Sequence, residues 1–456
     1  MCLPGVFDRF VQFSPVTVMM RGVLEYTLPP SRLDELFREH AVQQYEDELL
    51  FSSAVNVLGL AVCGIRKSVN DAYKVSADQL TVSVTSVYNK LAGTETQVSQ
   101  ALVRDSASRL APIVTGLKAQ CAPLLPGYRS RILDGNHLAA TQHRLQETWY
   151  IGSAPLPGLC LVVLDAEQRL VKDVFPCEDG HAQERSMLNL VLETVAPKDL
   201  WIADRNFCVT DFLTGIDTRR SFFIIREHAN GLRNKRLIGR RRKIGRCKTG
   251  MVYEQWVSAG DPGAELKMRR ITIVLDKPTR DGATELHILT NVPASDADAV
   301  KITQLYQQRW TIENAFQELG QALHGEIDTL CYPRAALLAF CIALYTYNAL
   351  SVVKAAMRAV YKDAAAVDAI SGYYLASEIS STYHGMMIAI ERRHWTKAFA
   401  HLTASEMASV LRNLASKIRL SQFLKNRRGP KKPPPKRTSA KFAPHVSTQQ
   451  LINQRR

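Results

Sequence analysis

Three carboxylates, Asp134, Asp204 and Glu313, lie far apart in the 456-residue sequence, yet each has a setting from which it could share a site. Asp134 closes the strand-like run RSRILD, and Asp204 closes another, LWIAD. In open α/β sheets, ligand chemistry gathers at strand ends. If these two strands are neighbours, the carboxylates meet, and oxygen donors of this kind suit Mg2+ or Mn2+. Taken singly, an acid at a strand end often just caps the next turn. Glu313 belongs to the helical pattern KITQLYQQRWTIENAFQELGQAL. Ile302, Leu305, Ile312, Phe316, Leu319 and Leu323 recur along it at core-facing spacing. Tyr306, Arg309 and Glu313 fall on a neighbouring stripe and can point into one site. An Arg–Glu pair at this spacing, on its own, is a surface ion pair worth roughly a few tenths of a kcal/mol.

The elements around these residues follow from hydrophobic periodicity. Residues 1–122 are expected to be a helical N-terminal domain, DNA-binding through the helix-turn-helix reading of one of its segments. Within it, SADQLTVSVTSVYNKLAGTETQVSQALVRD has the form helix, Gly-containing turn, helix. It fits either a helix-turn-helix with its second helix in the major groove or a plain helical hairpin. Pro123 and Pro126-Gly127 mark a boundary. Beyond it the order is three strands, helix, strand, helix, strand, an α/β pattern with a mixed sheet. Residues 128–229 and 291–424 would form this catalytic domain. Residues 230–290 are expected to be a basic, separate small β region inserted into it. Residues 425–456 form a basic, Pro-rich tail expected to be disordered.

The charge is local. Of a net +15, residues 231–250 hold nine Lys or Arg and residues 425–456 hold ten, with no acid in either stretch. The remainder is slightly acidic. Clustered cations point to a polyanion, with nucleic acid favoured over a plain solubilising role. Arg240, Arg241, Arg242 and Lys243 in the first cluster, and Arg205 beside Asp204, are candidate phosphate contacts. The nine cysteines are scattered without a C-x-x-C pair, which argues against a zinc site or disulfide framework and fits a reducing cytoplasmic setting. The N-terminus lacks the pattern of a secretory signal. The apolar run Ala335–Val353 is read as a buried helix rather than a membrane span, because it contains Thr346, Asn348 and two tyrosines. Asn136, His137 and His143 follow Asp134 and are read as hydrogen-bonding groups rather than metal ligands. Trp256 is expected in the core of the β insertion, with stacking on an unpaired base as the alternative. Trp310 is expected to pack beneath the site.

Asp134 in LDGNHL, Asp204 in ADRNF and Glu313 in YQQRWTIENAF resemble the three acidic motifs of DDE transposases. More narrowly, they resemble the bacterial insertion-sequence group marked by Y-x2-R-x3-E-x6-K, in which Tyr306, Arg309 and Glu313 match and Gly320 stands where the group has Lys. The resemblance runs from about Asp134 to Asn348. It implies an RNase H-like mixed sheet flanked by helices, with a β insertion between the second and third acids. It implies a cut-and-paste DNA transposase, bacterial and nucleoid-associated, whose three acids are both catalytic and metal-binding. Two Mg2+ or Mn2+ ions are implied, as are double-stranded DNA at the transposon ends and target, and a homodimer on DNA. Tyr306 and Arg309 would contact phosphate. Gly320 cannot grip DNA as a Lys would, so a catalytically impaired DNA-binding protein is one alternative. An RNase H-like nuclease without strand transfer is the other.

Overall fold

The computed structural model describes residues 3–44, 48–141, 145–152, 155–279, 282–361, 367–425 and 446–454. The N-terminal part is helical: α1 (Asp8–Phe13), α2 (Pro15–Thr27), α3 (Pro30–His40), α4 (Phe51–Val62), α5 (Val69–Ser76), α6 (Val84–Gly93) and α7 (Thr96–Leu117). Helices α6 and α7 follow one another across the Gly93–Glu95 turn, each packed on the long core helix described below. Val98, Leu102, Val103, Leu110, Ile113 and Val114 bury most of α7, and Gln97, Arg104, Ser108, Pro112 and Thr115 form one exposed stripe along it. Helix α7 packs against the sheet and that core helix.

The sheet begins with β1 (Arg129–His137), followed by a two-residue strand, β2 (Pro155–Leu156), outside the main sheet. Then come β3 (Leu159–Asp165), β4 (Leu170–Cys177), α8 (Leu188–Thr194), β5 (Asp199–Ala203), α9 (Thr210–Thr218) and β6 (Phe222–Arg226). The spatial order of this half is β4-β3-β1-β5-β6. Strand β3 is antiparallel to both neighbours, whereas β1, β5 and β6 run parallel. That is the RNase H-like arrangement. All seven residues of β3 are buried, as expected of an apolar strand covered on both faces.

The insertion corrects the expectation of a separate β region. Strands β7 (Arg236–Cys247), β8 (Gly250–Ala259), β9 (Leu266–Leu275) and β10 (Glu285–Thr290) continue the main sheet in the order β6-β10-β9-β8-β7. Strand β10 pairs antiparallel with β6, with Leu289 opposite Ile225. Without it β6 would present an open edge of unpaired N–H and C=O groups. The new edge is β7, which is basic, exposed and bulged at Ile238–Arg242, where Gly239 takes φ +70°. Charge and bulges together discourage further strand addition.

The expected single helix over 301–323 is two, α10 (Ala299–Gln307) and α11 (Trp310–Ala322). It is followed by α12 (Pro333–Val360), long and apolar enough to cross a membrane but with its apolar stretch wholly buried in the protein. Its polar groups are satisfied internally: the Asn348 amide accepts from Val171 N at 2.7 Å and donates to Val171 O at 2.9 Å. Helices α2, α4, α6 and α7 pack on α12, and α7 also lies on β4. The boundary expected near residue 122 therefore separates helices from strands in sequence, but both sides share one core. A second core lies between the sheet's other face and helices α8 and α9. In the tail, Val446–Ser447 pairs with β2 and Thr448–Asn453 is helical, so this end is ordered, contrary to expectation. Residues 426–445 and 455–456 of the expected tail lie outside the described residues.

Candidate active site

Strand register brings the first two acids together. Leu133 of β1 pairs with Ala203 of β5 in parallel, one residue before each aspartate. Ile132 and Ile202 face the helical core, whereas Leu133 and Ala203 face the other. Alternation then turns Asp134 and Asp204 to the helical side. Asp134 accepts from Gly135 N at 3.0 Å. Asp204 caps the short turn Arg205–Phe207, accepting from Asn206 N at 2.7 Å. It is thus both a turn cap and a neighbour of Asp134.

The break between α10 and α11 delivers the third acid. At the junction the backbone bonds tighten to i→i−3: Gln308 N to Leu305 O, Arg309 N to Tyr306 O, and Ile312 N to Arg309 O. Such a 3₁₀ stretch eclipses side chains three apart, which sets Tyr306 and Arg309 over one another. Arg309 donates to Asp134 at 3.0 Å and is paired with Glu313 at 2.6 Å. One guanidinium therefore joins an acid on β1 to an acid on α11. Its Nε is buried and has no partner among the described residues.

The acids are crowded electrostatically. Burial, opposed by Arg309 and reinforced by the charges of Asp204 and Glu184, pushes the Asp134 carboxyl up to about 6. Burial likewise raises the Tyr306 phenol, against the pull of Arg309 and Arg226, so it remains a protonated donor. Among the described residues no three His, Cys, Asp or Glu side chains stand ready around one ion. Arg309 reaches both Asp134 and Glu313.

Residues 125–349 match the family model of the transposase DDE domain. The chain carries a transposase DDE domain. Among solved structures, a piggyBac transposase synaptic complex with hairpin DNA, determined by cryo-EM, is 13% identical with a TM-score of 0.41. That match covers 96% of this chain and 92% of the other; it is too loose to transfer any residue's role. No curated protein matches the sequence.

Within the DDE domain the remaining expectations divide. Arg205 is exposed beside Asp204. Arg240, Arg241, Arg242 and Lys243 lie on the exposed edge strand β7, five strand positions from β5. Arg241 is engaged within the fold, paired with Glu285 at 3.0 Å and lying 4.2 Å over the Tyr253 ring. Arg242 is 3.8 Å from Glu254. Arg240 and Lys243 make no ion pair among the described residues. Asn136 bonds Glu326 at 3.3 Å, as a hydrogen-bonding role requires. His137 ends β1, and His143 lies outside the described residues. Neither tryptophan is buried as expected: Trp256 is 41% and Trp310 58% exposed. Lys267 covers the Trp256 ring, and Arg309 lies 5.2 Å from the centre of Trp310. Gly320 falls inside α11.

Two groups at the site were missed from sequence. Arg226 ends β6 on the face of Ile224, the face that carries the acids, and its charge acts on Tyr306. The REH that ends the run SFFIIREH was its only signal. Glu184 lies in the turn before α8, and its charge raises Asp134. Helical periodicity alone gave no reason to single it out.

Proposed function

We propose that the chain is a DNA transposase in which Asp134, Asp204 and Glu313 support cleavage of transposon ends and joining of the 3′-OH to target DNA. The supporting observation is the meeting of the three acids' settings: neighbouring strand ends for two, and Arg309 tying the third to the first.

The donors fit a divalent cation, Mg2+ or Mn2+. All are hard oxygen groups, and the elevated Asp134 carboxyl reflects buried negative charge that a cation would relieve. Asp134, Asp204 and Glu313 would hold one or two such ions. When bound, these ions supply Lewis-acid stabilisation of phosphoryl charge and a deprotonated oxygen nucleophile. The protein's own groups do the rest. Arg309, held between Asp134 and Glu313, would set positive charge beside a phosphate oxygen. Tyr306 stays protonated and can donate to the same group. Arg226 and Arg205 add positive charge at the ends of adjacent strands. Arg240, Arg242 and Lys243 extend the contact along the DNA backbone. Two copies of the chain would pair two transposon ends, a cut-and-paste reaction.

Gly320 favours a second reading, in which acids are kept but the grip on DNA is impaired. A pre-nicked transposon end separates the readings. A transposase joins its 3′-OH to a second DNA in Mg2+; a nuclease cuts without joining, and an impaired factor only binds.

A further inference from the structure

Gly135, the residue after Asp134, leaves room that a neighbour has taken. A Cβ built on it would lie 1.9 Å from Glu184 Oε1 and 2.6 Å from Glu184 Cδ. The Glu184 carboxylate thus rests on the β1 backbone beside Asp134. From Asp134 onward, β1 has no strand partner on its β5 side, because that pairing ends at Leu133 and Ala203. The other Glu184 oxygen accepts from Asn206 Nδ2 at 3.2 Å, and Asn206 N is the donor that Asp204 caps. Arg185 Nε donates to Asn206 O at 2.8 Å and steadies the same turn. Glu184 is therefore linked through Gly135 to one aspartate's backbone and through Asn206 to the other aspartate's side chain. A neutral acceptor would serve the hydrogen bond equally well. A carboxylate beside two others adds repulsion, which makes sense where a cation is to be drawn in.

We propose that Glu184 is a positioning residue of the cation site: through the gap at Gly135 it sets a fourth negative charge beside Asp134 and Asp204, and through Asn206 it fixes the turn that aims Asp204. This rests on the reading of those aspartates as cation ligands.

The test is Mn2+ binding to the full chain without DNA, followed by calorimetric titration, alongside thermal midpoints in EDTA. Glu184→Gln keeps an acceptor for Asn206 and removes the charge. Its Mn2+ affinity should fall roughly 10- to 100-fold, the range for groups that orient metal ligands, without a lower midpoint in EDTA. Gly135→Ala meets only the movable end of the Glu184 side chain, so it should fold, displace the carboxylate and weaken Mn2+ binding similarly. The double variant should be no worse than Glu184→Gln, because both changes remove one interaction. Mn2+ binding at wild-type strength by Glu184→Gln and Gly135→Ala, with Asp134→Ala defective, would overturn the role of Glu184 alone. If Asp134→Ala also binds Mn2+ normally, the reading of the aspartates fails instead. A Glu184→Gln variant with a lowered EDTA midpoint and unchanged affinity would reduce Glu184 to a structural role.

Discussion

Replacing Asp134 by Asn should stabilise the cation-free protein, and by an amount that depends on pH. The Asp134 side chain is only 16% exposed, and its surroundings raise the carboxyl from 3.8 to about 6. An acid raised in the folded state binds its proton more tightly there than in the unfolded chain. Its favourable contribution is complete below about pH 4 and is lost as pH rises through 6. The displacement corresponds to about 3 kcal/mol at pH 7.5. Asn carries no charge, can still accept from Arg309, and escapes this loss. For a chain of this length, 3 kcal/mol is a rise of roughly 3 °C in thermal midpoint. Melting wild type and Asp134→Asn in EDTA from pH 4 to 8 checks it: the two should converge near pH 4 and separate, the variant higher, above pH 6. Saturating Mg2+ should then raise the wild type more than the variant, because only the carboxylate gains from the ion. Equal midpoints at pH 7.5, or a gap that ignores pH, would refute the placing of Asp134 in a crowded, buried acidic site.

Two further outcomes follow from other parts of the molecule. Arg240→Ala with Lys243→Ala should weaken DNA binding at all sequences and lower the slope of log affinity against log salt by about 2, one for each phosphate no longer neutralised; an unchanged slope in a binding titration would remove β7 from the interface. Asn348→Ala should cost roughly 2–4 kcal/mol in urea denaturation, because it leaves the Val171 N–H and C=O and the Ser106 hydroxyl without their buried partner. A destabilisation under 1 kcal/mol would mean that α12 and β4 are held by apolar packing alone.

The strands that carry the site were legible because they are short apolar runs ending in an acid, and their order allowed only a few topologies. The neighbouring of β1 and β5 was a conjecture that the parallel register bears out. The helix break was not legible: no Pro or Gly interrupts YQQRWTIEN, and the core-facing spacing runs through it. Only tertiary packing draws the 3₁₀ turn at Gln308–Arg309. The insertion misled for a related reason. Alternation identifies strands such as β9, but nothing local shows that β10 returns to β6 across some 60 residues. Trp256 and Trp310 were assigned to cores by residue type, whereas each is exposed beside a cation. Glu184 was invisible because its role depends on an absent side chain, at Gly135.

The central claim is that Asp134, Asp204 and Glu313 form one cation-dependent site for phosphodiester chemistry. The direct measurement is Mg2+-dependent cleavage of DNA taken from either side of the coding region, by the full chain and by Asp134→Ala, Asp204→Ala and Glu313→Ala, with DNA binding followed in parallel. The account predicts that each variant binds DNA and none cuts it. Normal cutting by all three would contradict it.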